Sequence, residues 1–149
     1  MQNHPLTKNK QKQNKYTKGT ETNRKHKNSQ ILLWNKGNSD IHSKLDEIEY
    51  IIDKQDPKIF IIVEANISPE CHIPSIEIDN FTLERDNLHK QNIRSRTAIY
   101  ISNQVSYRRR EDLEIEGVPI IWLEIKEGTT KSWLLMAGYR QWTTLTSKT

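Results

Sequence analysis

Two short apolar runs flanking one amphipathic segment constrain this chain more than any other feature. Ile31-Leu32-Leu33-Trp34 is a continuous apolar run of strand length, the pattern of a strand covered on both faces. Asn35-Lys36-Gly37-Asn38 stops it with turn residues. Ser39 or Asp40 is placed to cap a helix. Ile41, Leu45, Ile48, Ile51 and Ile52 then share one helical face, with Lys44, Asp46, Glu47 and Asp53 elsewhere. Asp56-Pro57 ends the helix, because proline disfavours helical backbone at the residue before it. Ile59-Phe60-Ile61-Ile62-Val63 is a second apolar strand, closed by Glu64. Strand, helix and strand in close succession form a βαβ unit, whose two strands are expected to be parallel neighbours.

The pattern then changes. Residues 65–97 are polar, with short apolar pieces such as Phe81-Thr82-Leu83. Ala98-Ile99-Tyr100-Ile101, residues 120–126 and residues 133–139 read as further strands, the last two joined at hairpin length by Glu127-Gly128-Thr129-Thr130-Lys131. Trp122 and Trp133 are expected to face each other across that hairpin, in the core. The expected fold is α/β, with one mixed sheet of five strands. One short amphipathic helix cannot cover both faces of such a sheet, so residues 31–149 read as part of a domain.

Charge separates a tail from this domain. Residues 1–30 carry eight Lys/Arg against one acid, and the rest carry fifteen against eighteen, so a tail of +7 and a body of −3 give the net +4. The pI of about 9.1 therefore belongs to the tail. With almost nothing apolar, residues 1–30 are expected to be disordered. A uniformly basic nucleic-acid-binding body is excluded. No stretch approaches the ~20 apolar residues of a membrane helix, and no apolar signal core follows the N-terminal charges. The single cysteine, Cys71, precludes an intrachain disulfide and points to a reducing, intracellular compartment, the nucleus included. Between Pro69 and Pro74, Cys71 reads as a loop bystander. His42, His72 and His89 have no metal-ligand spacing and read as structural or solvent-exposed. Arg108-Arg109-Arg110 reads as a solvated basic loop balanced by Glu111, Asp112 and Glu114, and Arg94 and Arg96 as candidate DNA contacts.

Chemistry can gather at the strand ends. Asn35 ends the first strand and Glu64 the second, so parallel neighbours bring both to one carboxyl edge, where open α/β sheets place ligands. An amide oxygen beside a carboxylate suits Mg2+, which takes one or two carboxylates with waters and substrate phosphates. Such an ion serves phosphodiester hydrolysis. Taken alone, a turn residue and a solvated strand end are the plainer account of the pair. Tyr139 and Arg140 end the last strand, where a hydroxyl and a guanidinium can hold phosphate oxygens.

Four motifs in order alter that balance. Residues 31–35 with the helix at Lys44-Leu45-Asp46-Glu47-Ile48 resemble the opening motif of the endonuclease/exonuclease/phosphatase superfamily. Residues 57–65 resemble its strand bearing the metal-ligand glutamate, with Glu64 at that place. Residues 96–103 and 135–142 resemble its later strands, the last bearing an active-site Tyr. The closest flavour is the endonuclease domain of non-LTR retrotransposons. The resemblance implies a partial four-layer, deoxyribonuclease-I-like α/β sandwich, Mg2+ and nicking of DNA. It implies Asn35 and Glu64 as part of the metal and phosphate site, with Glu64 the direct ligand, Tyr139 on the scissile phosphate as the third catalytic residue, and Arg140 and Arg96 as phosphate or DNA neighbours. An adjoining reverse transcriptase would use the nick. The family's downstream Gly-Asp-x-Asn and Ser-Asp-His motifs have no match here, so the sequence reads as the N-terminal part of such a domain, inactive without a C-terminal half. Two alternatives remain: a non-catalytic nucleic-acid-binding product acting through the basic tail, and a decayed reading frame.

Overall fold

A computed structural model describes residues 30–140. The expectation of a disordered tail, and Gln141 and Trp142 of the last motif, lie outside the described residues. The βαβ unit is present. Strand β1 (Ile31–Asn35) pairs in parallel with β2 (Ile59–Ile67), Ile31 opposite Ile59 and Asn35 opposite Val63. Helix α1 (Leu45–Gln55) connects them, preceded by a 3₁₀ turn over Ile41–Lys44. Asp40, the second of the two candidate caps, accepts a hydrogen bond from the His42 N–H at the start of that turn.

Asp56 ends α1 with left-handed backbone (φ +43°) and donates its N–H to Ile52 O (2.9 Å). Glycine takes this conformation without the Cβ cost. Asp56→Gly is therefore expected to stabilise the fold by about 0.5–1 kcal/mol, a few degrees in thermal midpoint. A midpoint that does not rise in a calorimetric scan contradicts this.

Strand β3 (Phe81–Arg85) and β4 (Ser95–Ser102) complete a four-stranded mixed sheet in the order β1-β2-β4-β3. Strands β5 (Tyr107–Arg109), β6 (Ile120–Glu127) and β7 (Lys131–Gly138) form a separate antiparallel sheet in sequence order. The single sheet expected from the strand pattern alone is thus two, the stacked-sheet arrangement that the resemblance implies. The reason lies in the alternation along β6: Ile121, Leu123 and Ile125 all point one way and pack, with Ala137, onto Ile59, Ile61, Ile99 and Ile101. The opposite face of the mixed sheet carries Phe60, Ile62, Ala98 and Tyr100, which pack under Ile41, Ile48 and Ile76. Helix, mixed sheet and antiparallel sheet are therefore three stacked layers. The outer face of the antiparallel sheet bears exposed Leu134 and Met136, and no helix covers it among the described residues.

Four further expectations need correction. Strand β1 is not covered on both faces: Leu32 and Trp34 pack on the helical core, but Leu33 is 65% exposed, because β1 is an edge strand beyond the reach of the second sheet. Strand β2 does not stop at Glu64; an irregularity between Val63 and Ile67 carries it on. Trp122 and Trp133 do not face each other. They pair with Met136 and Ile125, whose register puts them on opposite faces, and Trp133 is 37% exposed. Residues 107–109 form a strand rather than a loop. The three arginines are nevertheless balanced by acids: Arg108 by Glu124, Arg109 by Glu84 and Glu114, Arg110 by Asp112 and Glu124. No helix among the described residues is long and apolar enough to cross a membrane.

Candidate functional site

Parallel pairing delivers Asn35 and Glu64 to one sheet edge. The Asn35 side-chain N–H donates to Glu64 Oε1 (3.2 Å), and Asn35 Oδ1 accepts from the Gly37 N–H (3.0 Å). The reverse orientation would oppose oxygen to oxygen and N–H to N–H, so the two partners fix the amide. Its nitrogen, not its oxygen, faces the carboxylate. The sequence-based expectation of an oxygen pair thus meets a different geometry, in which Asn35 holds Glu64.

Local backbone re-aims Glu64. Glu64 and Asn66 both have left-handed backbone (φ +56° and +52°), inside the irregularity that follows Val63. A bulge of this kind bends a strand and redirects a side chain, and left-handed backbone at non-glycine residues costs about 1–3 kcal/mol each. The surrounding bonds hold the bend. Asn66 Nδ2 donates to Asn38 O (2.7 Å), and Arg94 donates to Asn66 O and to Asp40 Oδ2 (both 3.3 Å). Arg94, a candidate DNA contact from sequence, is thus engaged in the fold.

Tyr139 lies at the same end of the sandwich. Val63 is opposite Thr97 on β4; Thr97 Oγ1 donates to Pro119 O (2.9 Å), and the Tyr139 N–H donates to that same carbonyl (3.3 Å). Arg96, Tyr139 and Arg140 line a cleft of about 700 Å3 with apolar walls that include Leu88, Ile93 and Met136. The predicted residues therefore form two groups, Asn35 with Glu64 and the other three around the cleft.

Near this edge lies Lys36, which the sequence marks only as a turn residue, and Asp40 and His42 flank it. Lys36 is 8% exposed, and its ammonium donates to the carbonyls of Gly37 (3.2 Å) and Ser39. Burial pulls its pKa below the usual lysine value, against the opposing pull of Asp40 and Glu64. Asp40 and His42 form a pair (2.8 Å), and His42 Nε2 lies 2.8 Å from Ser75 Oγ. Burial raises the Asp40 carboxyl, but hydrogen bonds from His42 and Arg94 outweigh it and hold the pKa below the ordinary value. The pairing ties the turn at Ile41–Lys44 to the next at Ile73–Ile76, the structural role expected for His42. Burial pushes the Cys71 thiol up, so it is no ready nucleophile. A lysine inside a turn sequence carries no mark of burial, so only the fold could reveal Lys36.

Mg2+ chemistry can be tested against the donors present. Among the described residues no group of three or more His, Cys, Asp or Glu is placed to hold a metal. Of the two carboxylates near this edge, Asp40 is engaged by His42 and Arg94, which leaves Glu64 as the available one, and the Asn35 oxygen is held by Gly37. One carboxylate fits a hydrated Mg2+ that draws its other ligands from water and phosphate.

Comparison with known proteins finds no matching family model and no matching curated protein. Among solved structures, the endonuclease domain of TRAS1, a telomere-specific non-LTR retrotransposon, is similar to this chain with a TM-score of 0.50 and 11% identity. The likeness covers 74% of this chain and 45% of that one, so the chain spans less than half of the TRAS1 domain. At that identity the likeness is one of fold: two stacked sheets, one of them mixed, with a helical layer on one side give this chain a deoxyribonuclease-I-like α/β architecture.

Proposed function

We propose that this chain is the metal- and phosphate-binding part of a Mg2+-dependent DNA endonuclease of retrotransposon type, and that it does not cut DNA by itself. The observation that carries this is Glu64, redirected by a strand bulge and held by Asn35 at the carboxyl edge of two parallel strands. Glu64 would hold Mg2+, and Asn35 would keep the carboxylate in position. A bound ion supplies charge neutralisation for the phosphodiester and orients the attacking water. Tyr139 would donate its hydroxyl to a phosphate oxygen, with Arg96 and Arg140 as neighbouring cations beside the cleft. A lone carboxylate provides a ligand but not the remaining acid, base and transition-state groups of hydrolysis, and such sets lose most of their power when members are missing.

Duplex DNA binding in Mg2+ and in EDTA tests this. Binding is expected to be tighter with Mg2+. A charged ligand contact is worth about 1.5–3 kcal/mol, so Glu64→Gln should remove roughly ten- to hundredfold of the metal-dependent part. Plasmid should stay supercoiled. Nicking that needs both Mg2+ and Glu64 would refute the inactivity and keep the role of Glu64. Binding indifferent to Mg2+ and lost on deleting residues 1–30 would instead assign the function to the basic tail, with a steep salt dependence.

A further inference from the structure

Among the described residues, Lys36 is the one basic residue that is buried, at 8% exposure. It follows Asn35 directly, and its backbone N–H donates to Val63 O at the bulge in β2 (3.4 Å). The loop after β1 turns through Gly37, whose φ of +77° suits glycine, and lays the carbonyls of Gly37 and Ser39 on the ammonium. The fold itself thus builds this placement.

A buried ammonium is costly unless nearby charge answers it. Two carbonyls supply dipoles, and the charges acting on Lys36 through space are Asp40, Glu64 and, repelling it, Lys44. Asp40 is already paired with the Arg94 guanidinium and hydrogen-bonded to His42. Glu64 has only the neutral amide of Asn35 as a hydrogen-bond partner among the described residues. Lys36 is therefore the standing positive charge of the Glu64 edge. A divalent ion at Glu64 would meet that charge in partly dehydrated surroundings, where like charges repel more strongly than in water.

We propose that Lys36 is the resident counter-cation of Glu64, a positioning residue that keeps the edge from holding a divalent ion until a phosphodiester adds negative charge. This rests on the assignment of Glu64 as the metal ligand. It makes metal binding conditional on substrate, so that ion and phosphate assemble together.

Titration of the full chain with Mn2+, with free Mn2+ read by electron paramagnetic resonance, provides the test. Wild type is expected to bind Mn2+ weakly. Lys36→Met should bind on the order of tenfold more tightly, because the repelling charge is gone. Lys36→Arg should stay close to wild type. A short DNA duplex should tighten Mn2+ binding by wild type more than by Lys36→Met. Should Lys36→Met not fold, Lys36→Gln, which keeps a polar head without charge, carries the same expectation. Equal affinities for wild type and the neutral variant would overturn the proposal. So would an arginine variant that tightens as much as the methionine one, since loop packing rather than charge would then be the cause. Mn2+ binding unchanged in Glu64→Gln would overturn the assignment of Glu64, and this proposal with it.

Discussion

Replacing Asp86 with alanine is expected to cost about 3–5 kcal/mol, much of the 5–15 kcal/mol that holds a typical domain together. Asp86 is fully buried. Its Oδ2 accepts the N–H groups of Arg96 and Thr97 (both 2.7 Å), and its Oδ1 accepts the N–H of Leu88 (3.1 Å). Alanine leaves three backbone donors without this partner, two where β4 begins and one in the 3₁₀ turn at Asn87–Gln91. Arg96 and Leu88 both line the cleft, so that wall should loosen as well. Burial pushes the Asp86 carboxyl up, against the pull of the N–H bonds, which hold it down. The folded state then binds this proton more tightly than the unfolded chain, whose carboxyl has the ordinary value of 3.8. The contribution of Asp86 is therefore largest at acid pH and declines as pH rises through its raised folded pKa. Urea denaturation of wild type and variant at several pH values measures both effects. A loss below about 1 kcal/mol would contradict the buried-acceptor account.

Leu123→Ala should cost about 2–5 kcal/mol, because Leu123 is fully buried at the centre of the contact between the two sheets. It packs in one cluster with Ile59, Ile61, Ile99 and Ile101 of the mixed sheet. The same contact carries β7, and with it Tyr139, to the end of the sandwich where Asn35 and Glu64 lie. Loosening it should therefore weaken the proposed Mg2+-dependent DNA binding as well as stability. Trp122→Phe, on the other face of the same strand, should leave both nearly intact. Intrinsic fluorescence during urea unfolding measures stability, and gel retardation with and without Mg2+ measures binding. A Leu123→Ala variant as stable as wild type would refute the sheet-on-sheet core.

The sequence by itself determined the βαβ unit. Apolar runs and helical spacing are local signals: β1, α1 and the β6–β7 hairpin lie close to where periodicity and turn residues place them, and β2 begins where expected but runs past Glu64 to Ile67. The same locality put Asn35 and Glu64 at one edge, because parallel neighbouring strands leave few alternatives. Beyond nearest neighbours the sequence was silent. Strand β4 has an apolar centre between polar ends and β6 opens on an apolar run, yet neither pattern says which sheet a strand joins. That depended on which faces matched across about 10 Å of side chains. Strand β5 was hidden because its arginines look solvated until Glu84 and Glu124 arrive from more distant segments. The left-handed turn at Glu64 and the burial of Lys36 were hidden for the same reason. A bulge and a desolvated charge are set by the three-dimensional surroundings, and residue order along the chain carries no record of them.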